Sequence, residues 1–98
     1  MNNTVKAELL QQERVVLGEC RFAELVVWRL PEPLPSSAHN LKYRLAYVVA
    51  GQCVVRYDNE AGKGDHRHIG EQEMSYTFST PAQLVRDFWA DVACFDQS

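Results

Sequence analysis

The sequence predicts an α+β domain: a small antiparallel β-sheet of two hairpins plus a short strand, packed against a C-terminal α-helix. Three observations carry this. β-Branched and aromatic residues fall into strand-length runs within 22–30 and 42–57, each next to a glycine-bearing turn. A proline-rich stretch at 31–35 separates the two runs, and its three prolines lack the amide donors that a central strand needs. From Thr80 onward the apolar residues recur at three- and four-residue spacing, the period of a helix. A chain of 98 residues suffices for one domain, 1–98. A chain of this size buries roughly two-thirds of the surface that its unfolded form exposes.

Residues 6–17, Lys-Ala-Glu-Leu-Leu-Gln-Gln-Glu-Arg-Val-Val-Leu, are two-sided. The first half has helix propensity, whereas Arg14-Val15-Val16-Leu17 is strand-like. The turn signal Gly18-Glu19 and the strand run at 22–30, Phe-Ala-Glu-Leu-Val-Val-Trp-Arg-Leu, favour a β-hairpin. Were that second strand a sheet edge, it would support dimerisation. The prolines of 31–35 and the following Ser36-Ser37 read as a rigid connector.

Residues 42–57 read as a second hairpin around Ala50-Gly51. A two-residue turn there sets Val49 opposite Gln52, Leu45 opposite Arg56, and Arg44 over the Tyr57 ring. It also brings Arg44 and Arg56 to the end of the hairpin where the next segment starts. Beyond it we expect a strand ending near Ile69, an acidic turn through Glu71 with 72–74 unconstrained, and a short strand at 75–78. The helix starts with Thr80 as N-cap and Pro81 at its first position. Leu84, Val85, Phe88, Trp89, Val92 and Phe95 form its core-facing stripe, and Arg86, Asp87 and Asp91 face water.

With 46% hydrophobic and 23% charged residues, the chain has the composition of an ordinary globular domain. Cys20, Cys53 and Cys94 lie far apart without a Cys-x-x-Cys pair, which predicts reduced, largely buried thiols rather than a disulfide framework or structural zinc. The opening Met-Asn-Asn-Thr-Val-Lys has no apolar core, and the longest apolar run, 45–50, is far short of a membrane span. The expected location is therefore cytoplasmic. Net charge is -3, but residues 1–35, 36–68 and 69–98 balance at -1, +2 and -4. All three histidines fall in the positive middle block, which can hold a phosphate backbone in spite of the overall sign.

Chemistry concentrates in residues 58–68, Asp-Asn-Glu-Ala-Gly-Lys-Gly-Asp-His-Arg-His. In an extended backbone His66 and His68 point to one side and Arg67 to the other. Imidazole titrates near pH 6.5, so two that share a face can serve as acid and base. Lys63 and Arg67 could stabilise phosphate charge, Asp58 and Asp65 could orient an imidazole, and Lys42, Arg44 and Arg56 could hold a nucleic-acid backbone. His-x-His with Asp58 and Asp65 also admits a metal site, the basis of an alternative reading as a metal-dependent phosphodiesterase. Gly62-Lys63-Gly64 lacks the spacing and the Ser/Thr of a nucleotide-binding P-loop. The plainer alternative is a solvated turn, in which Asn59, Gly62 and Gly64 serve only the backbone. His39, alone beside serine and asparagine, reads as a surface residue.

Tyr43-Arg-Leu-Ala-Tyr-Val-Val, followed by Val-Val-Arg-Tyr-Asp-Asn-Glu-Ala-Gly-Lys-Gly-Asp-His-Arg-His68, resembles the TumE-like family of toxins from bacterial toxin-antitoxin pairs. The early Glu-Leu-Val-Val-Trp-Arg-Leu strand, Tyr76-Thr-Phe78 and the closing Asp87-Phe-Trp-Ala-Asp-Val92 helix agree in layout. The resemblance implies a growth-inhibiting toxin neutralised by an antitoxin with a DNA-binding domain. RNA cleavage enters by analogy with small toxins that carry a basic, histidine-bearing site. The leading expectation is thus an RNA-cleaving toxin without cofactor or metal, in which His66 and His68 exchange protons. A non-catalytic module that binds nucleic acid or protein is the third reading.

Overall fold

The computed structural model describes residues 6–97, so the opening segment read for a leader lies, apart from Lys6, outside the described residues. Six strands follow one another as an antiparallel meander: β1 (Glu8–Gly18), β2 (Arg21–Arg29), β3 (Leu41–Val49), β4 (Gln52–Glu60), β5 (Gly64–Ile69) and β6 (Gln72–Ser75). One helix, α1 (Pro81–Asp96), then crosses one face of the sheet. The α+β architecture is as expected, with more strands than the sequence suggested.

The ambiguous 6–17 region forms β1, paired along β2 from Glu8 opposite Arg29 to Gly18 opposite Arg21. Pairing in the sheet overrides the weak helix propensity of its first half. β2 lies between β1 and β3 and is not an edge, so the dimerisation expected from a free 22–30 strand has no basis there. The edges are β1 and β6.

The Ala50–Gly51 turn is present, with φ of 49° and 81° at its two residues and Val49 opposite Gln52. Both residues at positive φ give the twist that a two-residue hairpin needs. Farther along, the expected register fails. Val48 pairs with Cys53 but Tyr47 with Val55, so Val54 is an extra residue in β4. The bulge shifts every later pair: Leu45 faces Tyr57 and Arg44 faces Asp58. Arg44 therefore never reaches the Tyr57 ring, and the Arg67 guanidinium lies 6.0 Å from that ring instead.

Residues 72–75 are β6 rather than an unconstrained turn, and the strand expected at 75–78 sits three residues earlier. Gly70, at φ 61°, makes Gly70–Glu71 a two-residue turn with Ile69 opposite Gln72.

Alternation along the strands sends Ala23, Leu25, Val27, Tyr43, Leu45, Tyr47, Val55 and Tyr57 to one face, where they are buried with Leu84, Phe88 and Val92 of α1. Thr80 caps the helix, its hydroxyl accepting from the Gln83 amide, and Pro81 opens it, as expected. Asp87 and Asp91 do not face water: Tyr76 donates to Asp87 at 2.6 Å, and Tyr57 donates to Asp91. The cysteines also differ from expectation. All three are exposed, because Cys20 and Cys53 sit beside turns and Cys94 lies outside the helix stripe.

Candidate functional site

The 58–68 segment is not a loop. It is a third hairpin, the end of β4, a short turn and β5, and its alternation divides the chemistry between the two faces. Asp58 pairs with His66 and Arg56 with His68, so these four share the face that α1 leaves open. Asp65 and Arg67, which oppose the buried Asn59 and Tyr57, lie on the helix side.

On the helix side Asp65, His39, Arg67 and Asn59 each have a close partner. Asp65 Oδ2 accepts the Tyr43 hydroxyl at 2.6 Å and contacts His39 Nε2 at 2.8 Å. The Leu41 amide donates to His39 Nδ1, so Nε2 carries the proton that His39 gives to Asp65. His39 is thus a packed residue, its ring 4.1 Å from that of Phe78, and not the surface group expected. Arg67 Nε lies 2.9 Å from Asp91 Oδ2. Asn59, 1% exposed, donates to the Leu41 carbonyl and accepts from the Tyr43 amide, closing the β3–β4 ladder where its last pair ends. Burial first, then the bond to aspartate, holds the Tyr43, Tyr57 and Tyr76 hydroxyls well above the ordinary tyrosine range.

On the open face the arrangement is different. The carboxylate of Glu73 lies 3.3 Å from His66 Nδ1 and 3.7 Å from His68 Nε2, between the two rings. His66 Nε2 is 2.8 Å from the Lys63 carbonyl, which only accepts, so that nitrogen bears a proton. His68 Nε2 is 3.0 Å from Nη2 of Arg56, which only donates, so that nitrogen offers its lone pair. Arg56 Nε also lies 3.3 Å from Asp58 Oδ2. The two imidazoles thus carry opposite hydrogen-bonding roles about one carboxylate.

Of the six residues expected to form one centre, Asp58, His66 and His68 come together and Asp65 and Arg67 do not. Lys63 sits in the turn, its ammonium exposed and 3.8 Å from Glu60. Lys42, Arg44 and Arg56 all occupy the open face. The four ligands of the metal alternative do not converge, since Asp65 is on the wrong side of β5. Among the described residues no group of three or more His, Cys, Asp or Glu is placed to hold a metal ion. Sequence reasoning missed Glu73. Its signal was Gly70: a two-residue turn between Ile69 and Gln72 places Glu73 directly opposite His68.

The model of the family described as toxin TumE matches residues 2–94. The chain belongs to the TumE toxin family. Membership in TumE makes it a toxin of a toxin–antitoxin system, with an antitoxin as its partner. No curated protein and no solved structure gives a significant match. No helix among the described residues of this TumE chain is long and apolar enough to cross a membrane.

Proposed function

We propose that this toxin stops growth by cutting RNA through metal-free acid–base chemistry on the open face. The observation that carries the reading is the pair of imidazoles around Glu73, one giving a hydrogen bond to the Lys63 carbonyl and one accepting from Arg56. Residues two apart on a strand stand about 6.6 Å apart at Cα, so two such rings can reach opposite sides of one phosphate. In this reading Arg56 turns from His68 Nε2 to the phosphate, and the freed nitrogen takes the proton of a ribose 2'-hydroxyl, whose oxygen attacks the adjacent phosphorus. The bond to the 5'-oxygen breaks, and that oxygen leaves with a proton from His66. Glu73 steadies the ring that becomes positive, and Arg56 neutralises charge on the phosphate as it develops. Asp58 holds Arg56 in place. The products are a 2',3'-cyclic phosphate and a 5'-hydroxyl.

The resemblance of the central motif supports an antitoxin that carries its own DNA-binding domain, and an RNA target supports a cytoplasmic place of action. Induced expression of the chain alone should arrest growth and leave RNA with new 5'-hydroxyl ends. Cleavage should survive excess EDTA. The double variant His66→Ala, His68→Ala should lose both toxicity and new ends while melting like the parent. Toxicity retained by that variant, or arrest by the parent without new RNA ends, would sink the mechanism in favour of inhibition by occupancy.

A further inference from the structure

The open face carries a feature that the histidine pair does not use. Trp28 is 36% exposed there, a large aromatic ring with the exposed Leu9 of β1 on one side and Lys42 of β3 on the other. In register it faces Lys42 of β3, and two residues along the same strand is Arg44, which faces Asp58 and, through it, His66. Five of the seven arginines lie in ion pairs with carboxylates: Arg14 with Glu24, Arg21 with Asp96, Arg29 with Glu8, Arg56 with Asp58 and Arg67 with Asp91. Arg86 bonds Gln83, which leaves Arg44 as the one arginine whose guanidinium has no partner among the described residues. Lys42 donates a hydrogen bond to a neutral backbone carbonyl, that of Asn59, and so keeps its charge uncompensated. The unneutralised positive charge of the open face therefore lies in one strip on β3, between the tryptophan and the histidines.

We propose that Trp28, Lys42 and Arg44 form a track for unpaired RNA that leads into the His66–His68 site, with a base stacked on Trp28 and phosphates held by the β3 cations. The inference rests on the RNA-cleaving reading and names the form of substrate that the site takes. Three interstrand steps of about 4.8 Å and one two-residue step of about 6.6 Å separate Trp28 from His66, roughly 16 Å in all. A few extended nucleotides cover that span. A duplex does not fit, because its bases are already stacked on one another and present no face to the indole. Stacking on an aromatic ring beside a cationic groove is how single strands are held without base-pair readout.

The test uses the full chain carrying Trp89→Phe, so that Trp28 is the sole tryptophan, and a fully 2'-O-methylated oligoribonucleotide that cannot be cut. The single strand should quench the Trp28 fluorescence, and the same sequence as a duplex should not. Trp28→Ala should weaken binding by about 5- to 150-fold, with Trp28→Phe recovering most of it. Arg44→Ala should weaken binding and lower the slope of log affinity against log salt by about 1. Binding without quenching, equal binding of the duplex, or an undiminished Trp28→Ala variant would overturn the track and leave the face to a protein partner. Quenching that appears on raising protein concentration without RNA would instead assign the ring to a second copy. Failure of the cleavage reading shows differently: the oligonucleotide would bind and quench as described, while cleavable RNA stayed intact.

Discussion

The two faces of the sheet hold the same kinds of residue and use them in opposite ways. On the helix side Asp65 is held by Tyr43 and His39, His39 by the backbone as well, and Arg67 by Asp91, in the shelter of α1. On the open side His66 and His68 meet at Glu73 and Arg56 links His68 to Asp58, with solvent on their outer surface and unneutralised cations beside them. A buried polar group that is fully paired fixes a fold and has nothing left for a substrate. A partly exposed group, whose partners are reachable from solvent, can exchange one of them for a substrate. The difference teaches that chemical crowding along a sequence does not define a site: β5 alternates, and neighbours in the chain belong to different machines.

Adjacent residues on β5 should therefore fail in different assays. His68→Ala should lower RNA cleavage by about 100- to 10,000-fold, the usual worth of a positioned acid or base, with an unchanged melting curve. Loss of stability with that variant, and normal activity per folded molecule, would break the distinction between the faces. On the other side, Phe88→Ala should cost about 3 to 5 kcal/mol in urea unfolding, because Phe88 is fully buried against Tyr57 and Trp89. Arg67→Ala should cost about 1 to 3 kcal/mol by leaving Asp91 half-buried without its cation, and the folded fraction should still cleave. Arg44→Ala should change stability by less than about 0.5 kcal/mol, since the guanidinium has no hydrogen-bond or ion-pair partner among the described residues, yet weaken RNA binding.

The paired face also has a pH signature. All four tyrosines, Tyr43, Tyr47, Tyr57 and Tyr76, donate to aspartates, and burial with those bonds raises the pH at which they ionise in the folded chain. In the unfolded chain tyrosine ionises near pH 10. Their contribution is thus complete below about pH 10 and is lost as pH rises from there towards the folded values. Asp87 has the opposite sign. The Tyr76 bond holds its carboxyl below the ordinary range, so its contribution is complete above about pH 4 and is lost as pH falls through the folded value. Urea midpoints measured at pH 8, 10.5 and 11.5 should fall across the series, and Tyr57→Phe should flatten the fall.

The sequence was legible where one local signal decides the structure. Thr80 and Pro81 marked the helix start, Ala50-Gly51 marked a turn, and His-x-His on an extended chain put both imidazoles on one side. It was illegible where partners lie far off. Val54 bulges out of β4 amid a run of similar apolar residues, so nothing local announced the register shift. Asp87 and Asp91 fall outside the helix stripe by period, but tyrosines from distant strands rise to meet them. Glu73 looked like part of an acidic turn because Gly70-Glu71 was not recognised as the hairpin that carries it across from His68.

The meander has a consequence for how the toxin is made. Each strand pairs with the one synthesised just before it, so the sheet can assemble from its beginning as the chain grows. The apolar side of that sheet is covered only when α1 arrives, after all six strands. A product halted before Pro81 would display Leu25, Leu45 and Tyr57 to solvent, a surface suited to aggregation or to a protease. Synthesis of α1 is then the step that closes the core, and it comes only after the whole sheet has been made.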